Sequence, residues 1–221
     1  DFAKRDHQRG FEMRWRTGRR SSNVEDRRRI RVPRKAAGGG IGIIVIALIA
    51  MYFGVDPTVI LNQQSPTTSS VSTHTTSKPI SPADNQLADF VAVVLADTED
   101  TWHALFKKMG KTYKEPNLVL FSGAVEPACG YAQAAMGPFY CPADQTVYID
   151  LSFYQDLKNR HQAPGDFAQA YVIAHEIGHH VQTLLGISEK VHTARRRLNQ
   201  VEGNKLSVMQ ELQADCFSGV W

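Results

Sequence analysis

Apolar residues recur at three- and four-residue steps through Leu87, Phe90, Val91, Val94, Leu95, Trp102, Leu105, Phe106 and Met109. That spacing predicts a helix with one buried stripe, ending at Gly110, with Trp102 and Phe106 as core residues. Across residues 118–151 the pattern shortens to brief apolar runs broken by Gly and Pro. Leu118, Val119, Leu120 and Phe121 form one run, while Val147, Ile149 and Leu151 alternate with Tyr148 and Asp150 as a half-buried strand does. These runs predict a small antiparallel sheet, with the 147–151 strand offering its edge to an extended peptide. Three helices follow. The first has Asp166 as candidate N-cap and stops at Gly186, and the second covers roughly residues 188–199. The third opens at Ser207, with Gln210 completing a capping box, and carries Glu211. The fold class read from this order is α+β.

A different pattern precedes that domain. Residues 36–55 hold no charge and are rich in Ile, Val and Leu. At 1.5 Å per residue, a helix over them would be about 30 Å long, the thickness of a bilayer's hydrocarbon core. A single transmembrane helix is therefore expected there. Charge supports the reading: the whole chain carries +3, but residues 1–35 hold 13 Lys and Arg against 5 Asp and Glu. A basic flank ahead of a membrane span predicts a cytoplasmic N-terminus and a periplasmic or extracellular domain, so the expected location is the bacterial cytoplasmic (inner) membrane. Because the span accounts for the basic flank, no nucleic-acid role is inferred from it. Residues 56–84, rich in Ser, Thr and Pro, read as a linker that cannot bury enough apolar surface to order itself. The expected organisation is a basic segment at 1–35, the membrane helix at 36–55, the linker at 56–84 and the globular domain at 85–221.

The chemistry resides in His175-Glu176-Ile177-Gly178-His179. On a helix, residues i and i+4 share a face, so both imidazoles can meet one metal ion while Glu176 beside them reaches a water as general base. A catalytic zinc site takes three protein ligands and keeps one position open. Glu211 is the candidate third ligand. Asp215, one turn further along the same helix, is placed to accept the outer N–H of a ligating histidine. His180 lies about 100° around the helix from His179 and reads as a core residue. His192 and the run Arg195, Arg196, Arg197 read as surface. Of the three cysteines, Cys129 and Cys141 flank a short Gly- and Pro-punctuated segment and are expected to form a disulfide, while Cys216, inside a predicted helix, is expected to be an inert buried thiol.

Several blocks together resemble the bacterial neutral zinc metallopeptidase family, an H-E-x-x-H zincin-like group. They are Cys129-Gly130-Tyr131-Ala132, Gly137-Pro138-Phe139-Tyr140-Cys141-Pro142, His175 through Gln182, and Glu211-Leu212-Gln213-Ala214-Asp215-Cys216, with Asn23-Val24-Glu25-Asp26-Arg27-Arg28 near the start. The resemblance implies a zincin-like domain holding Zn²⁺ through His175, His179 and Glu211, with Glu176 as base, Asp215 behind the ligands and a peptide or protein as substrate. It also implies a chain continuing past Trp221, hence a domain truncated at its C-terminal end. The competing reading is a membrane-tethered binding protein with a structural or vestigial zinc site. A retained Glu176 argues against it, since a structural site has no use for a base and favours four ligands.

Overall fold

The computed structural model describes residues 14–30, 80–154, 157 and 165–221. Helix α1 (Pro82–Lys108) begins where the sequence supplies every start signal. Ser81 accepts from the Asp84 N–H, Asp84 accepts from the Ser81 N–H, and Pro82 occupies the first turn. Residues 82–84 thus belong to the helix and not to the linker. Its stripe of Phe90, Val91, Val94, Leu95, Trp102 and Phe106 is buried, and the chain turns away through Gly110 in the left-handed region at φ 68°.

The sheet differs from the antiparallel one expected. Its four strands are ordered β1 (Val24–Asp26), β2 (Asn117–Phe121), β6 (Thr146–Asp150), β5 (Phe139–Cys141). β1 pairs with β2 and β2 with β6 in parallel, and only β5 runs antiparallel to β6. A separate two-stranded antiparallel pair is formed by β3 (Ala124–Val125) and β4 (Ala132–Gln133). The physical reason is burial on both faces, which lets parallel strands read as continuous apolar runs. Leu118, Leu120, Val147 and Ile149 pack in the core with α1, while Val119, Phe121 and Tyr148 pack on the other side with Val125, Ala132 and Cys141. Tyr148 and Asp150, which made the run look half-exposed, are both buried. β6 lies inside the sheet, so it offers no edge to a peptide; the edge on that side is β5.

The expected transmembrane helix is also corrected. Among the described residues no helix is long and apolar enough to cross a membrane, and residues 36–55 lie outside the described residues. β1 comes from the basic segment and pairs with β2, residue Glu25 opposite Val119. Residues 24–26 of the expected basic segment are thus part of the domain's sheet. The arginines have partners in the domain. Arg20 makes a forked pair with Asp89 of α1, and Arg19 bonds Glu99, Asp100 and the Ala96 carbonyl. Gly18 permits the approach, since a Cβ there would lie 2.5 Å from Val93 Cγ1.

Helices α2 (Asp166–Leu184), α3 (Ile187–Arg195) and α4 (Gln200–Val220) complete the domain. Gly165 at φ 142° occupies the N-cap of α2, with Asp166 in its first turn. α4 starts seven residues before Ser207, because Asn199 caps it by accepting from the Glu202 N–H. Ser207 is then mid-helix and its hydroxyl bonds the Gly203 carbonyl. The decisive helix contact is at Gly178: a Cβ there would lie 2.8 Å from the Ala214 carbonyl oxygen and 3.0 Å from its Cα. Only glycine lets the backbones of α2 and α4 approach this closely.

Candidate metal centre

That approach brings the expected residues together. His175 and His179 lie one turn apart on α2 with ring centroids 4.8 Å apart. Their Nε2 atoms are each 3.3 Å from Glu211 Oε2 on α4. Ligand atoms of His175, His179 and Glu211 all lie within 4.8 Å of one another. Asp215 stands behind His175, its Oδ1 2.8 Å from Nδ1. The Tyr171 hydroxyl donates to the same oxygen at 2.7 Å; this bond and then His175 hold the Asp215 carboxyl below the usual range.

His179 has a matching partner that sequence reasoning missed. Gln182 is fully buried, and its Nε2 donates to the Gln210 carbonyl at 2.7 Å, which turns Oε1 toward His179 Nδ1 at 3.0 Å. Both Nδ1 atoms therefore face acceptors and carry the ring protons. Each Nε2 points toward the Glu211 carboxylate oxygen. Two imidazole nitrogens and one carboxylate oxygen converging from two helices suit zinc.

A sequence profile described as "Putative neutral zinc metallopeptidase" matches residues 13–221. The chain belongs to that family. An uncharacterized Escherichia coli protein, YpfJ, is 50% identical over 220 residues, covering 95% of this chain and 74% of that protein. An uncharacterized Mycobacterium bovis protein, Mb2605, is 39% identical over 175 residues, covering 78% of this chain and 57% of that one. No solved structure matches. Within the family's matched region, residues 14–30 are as much a part of the fold as the H-E-x-x-H helix is.

Glu176 lies beside the three converging atoms, 8% exposed. Burial, with the nearby Glu211 carboxylate adding to it, pushes its carboxyl up to about 7; His179 and the Tyr140 backbone N–H act the other way. A cation at the site would favour the ionised form. A cleft of about 590 Å³ opens here, lined by Tyr140, His179, Thr183, His192, Arg195 and Glu211 among others. Arg195, expected with Arg196 and Arg197 on a solvated face, is thus part of the cleft wall.

His180 is in the core, as its offset on the helix implied, and is absent from the metal set. Burial lowers its pKa to about 4, so it is neutral. The Cys129–Cys141 disulfide is formed, and Cys216 is free but exposed, not buried as its place in a helix suggested. Gln182 could have been found from the motif alone. It stands three residues after His179, on the neighbouring turn of the same face, where its amide can reach the outer ring nitrogen. Tyr140 had no comparable signal, because only the β5 register brings it beside α2.

Proposed function

We propose that this protein hydrolyses peptide bonds with a zinc ion held by His175, His179 and Glu211. The observation that supports this best is the convergence of ligand atoms from His175, His179 and Glu211, with the buried Glu176 carboxylate adjoining His175 on the same helix. Zinc in such a set supplies Lewis acidity toward a carbonyl oxygen and toward water. Glu176 takes the proton from the attacking water and returns it to the leaving amine. Asp215 and Gln182 hold the two imidazoles in one tautomer and orientation, keeping Nε2 free for the metal. The cleft beside His179 and Glu211 receives the polypeptide.

A structural or vestigial zinc site in a binding protein is the weaker reading. Among the described residues the set has three members, which suits an open site better than a closed one. The disulfide further favours an oxidising compartment as the working environment.

The test compares Glu176→Gln with His179→Ala. Glu176→Gln is expected to keep about one zinc per chain while peptide hydrolysis falls by about 10² to 10⁴. His179→Ala is expected to lose metal and activity together. Full hydrolysis by Glu176→Gln at wild-type zinc content would remove the proposed base.

A further inference from the structure

The cleft beside the metal position holds a charge that the hydrolysis just described does not use. Arg195, the last residue of α3, lines the same cleft as His179 and Glu211. Its side chain is exposed and forms no ion pair among the described residues. The amino-terminal Arg19, Arg20, Arg27 and Arg28 differ, each being paired with a carboxylate. Arg196 and Arg197 follow in sequence but do not line the cleft.

The place of that charge in the cleft follows from how α3 lies against α4. Near the start of α3, Ser188 Oγ is 3.4 Å from Gln210 Nε2. At its end, Arg195 Nε lies 3.9 Å from where a Cβ on the buried Gly203 would stand. The separations match, 195 − 188 = 7 on α3 and 210 − 203 = 7 on α4, so the two helices run antiparallel with Arg195 beside Gly203. Glu211 follows Gly203 by 211 − 203 = 8 residues, which puts the Arg195 end about 12 Å along α4 from the metal end. Glu189, also lining the cleft, adjoins Ser188 at the metal end. The α3 wall thus changes from acidic to basic with distance from the metal position.

An extended polypeptide advances about 3.4 Å per residue, so about 12 Å is three to four residues. A substrate carboxylate at that distance meets the forked N–H donors of a guanidinium with no competing protein partner, whereas one nearer the metal meets Glu189. We propose that Arg195 is a specificity-determining residue that favours polypeptides carrying a carboxylate about three to four residues from the bond cleaved. The effect on cleavage rests on the proposed hydrolysis; capture of the carboxylate in the cleft does not. Asp or Glu side chains and the C-terminus of a peptide present the same group, and the test separates these two sources.

The experiment gives the zinc-loaded full chain matched peptides, blocked at both ends, with one Glu or one Gln moved through each position. A further pair differs only in ending as a free carboxylate or an amide. In wild type, a carboxylate at the favoured position is expected to raise kcat/KM by about 10-fold over its neutral match, the low end for a charge-assisted hydrogen bond because the group is exposed. High salt should shrink that preference. Arg195→Gln should abolish it, and Arg195→Glu should invert it in favour of Lys at the same position. Arg196→Gln removes an equal charge outside the cleft lining and should keep the wild-type preference. A gain from Glu within the blocked peptides assigns the side chain as the source, and a gain only from the free end assigns the C-terminus. No preference in wild type, or equal loss in Arg195→Gln and Arg196→Gln, overturns the proposal. If zinc-loaded wild type cleaves none of these peptides, the hydrolytic reading fails. Affinities of the same pairs for wild type and Arg195→Gln then decide the matter, and equal binding of acidic and neutral peptides by wild type overturns the role of Arg195.

Discussion

Two polar clusters in this domain are each centred on a glutamate and end in opposite states. Around Glu99, fully buried on α1, every neighbour is a donor: Ser21 Oγ, Asn23 Nδ2 at 2.9 Å and Arg19 Nη2 at 3.0 Å. At the candidate metal centre, exposed Glu211 places Oε2 3.3 Å from both His175 Nε2 and His179 Nε2. The first cluster is complete with protein atoms alone and serves the fold, pinning residues 19–23 to α1. In the second, Asp215 and Gln182 hold the Nδ1 sides of the rings and leave both Nε2 atoms aimed at one exposed carboxylate, a set that a cation can join. A buried carboxylate therefore says little about function until its donors are counted.

The comparison breaks most directly by removing one carboxylate from each cluster. Glu211→Ala is expected to weaken zinc binding by more than about 100-fold, exceeding what loss of an outer partner does, while zinc-free stability holds or rises. Glu99→Ala leaves buried donors without an acceptor and should cost about 1–3 kcal/mol, read as a lower denaturation midpoint, with zinc affinity intact. If Glu99→Ala lost zinc specifically, or Glu211→Ala unfolded the domain, the two clusters would not have the separate roles assigned to them.

Smaller effects sharpen the same contrast. Asp215→Asn and Gln182→Leu should each reduce zinc affinity by about 10- to 100-fold, measured by competition with a chelator. An effect confined to Asp215 would mean that His179 does not depend on its buried amide partner. Gly178→Ala should cost about 1–3 kcal/mol through overpacking against Ala214 and weaken zinc binding by displacing Glu211 from the histidines. Wild-type zinc affinity in that variant would show that the two helices can separate without moving the ligand.

The last effect is a pH dependence. Burial holds the folded His180 near 4, below its ordinary 6.5, so the unfolded chain binds the proton first as pH falls. Stability from this residue is full above about 6.5 and is lost on acidification toward 4, by at most about 1.4 kcal/mol per pH unit. Thermal melts of zinc-free wild type and His180→Asn across that window check it, since the two chains differ only at residue 180. Equal slopes would mean that His180 does not contribute to the acid limb.

Local order was legible where short-range rules suffice. The α1 stripe, its stop at Gly110, the turn at Gly186, the i, i+4 pairing of His175 with His179 and the reach of Asp215 all follow from helical geometry or backbone freedom. The Cys129–Cys141 pairing also follows from a short, turn-rich separation. Strand direction did not, because Leu118 to Phe121 and residues 146–150 read alike whether their neighbours run parallel or antiparallel; burial on both faces decided it. The 36–55 run fitted a membrane span by length and hydropathy, and no local property of the basic segment announced that residues 24–26 would pair with residues 118–120.

What the sequence by itself determined is the metal-binding motif, the acid beside it, and the carboxylates spaced to serve it. Tertiary structure alone decided that Glu211 reaches the histidines, through a glycine that lets α4 approach α2 within a Cβ's radius. It also decided that Gln182 turns its oxygen to His179, that the Tyr140 hydroxyl meets His180, and that Arg19 and Arg20 pair with α1. The physical reason is common to all four: each depends on which groups face one another across elements distant in sequence, and donor and acceptor matching across such gaps is set only when the elements pack.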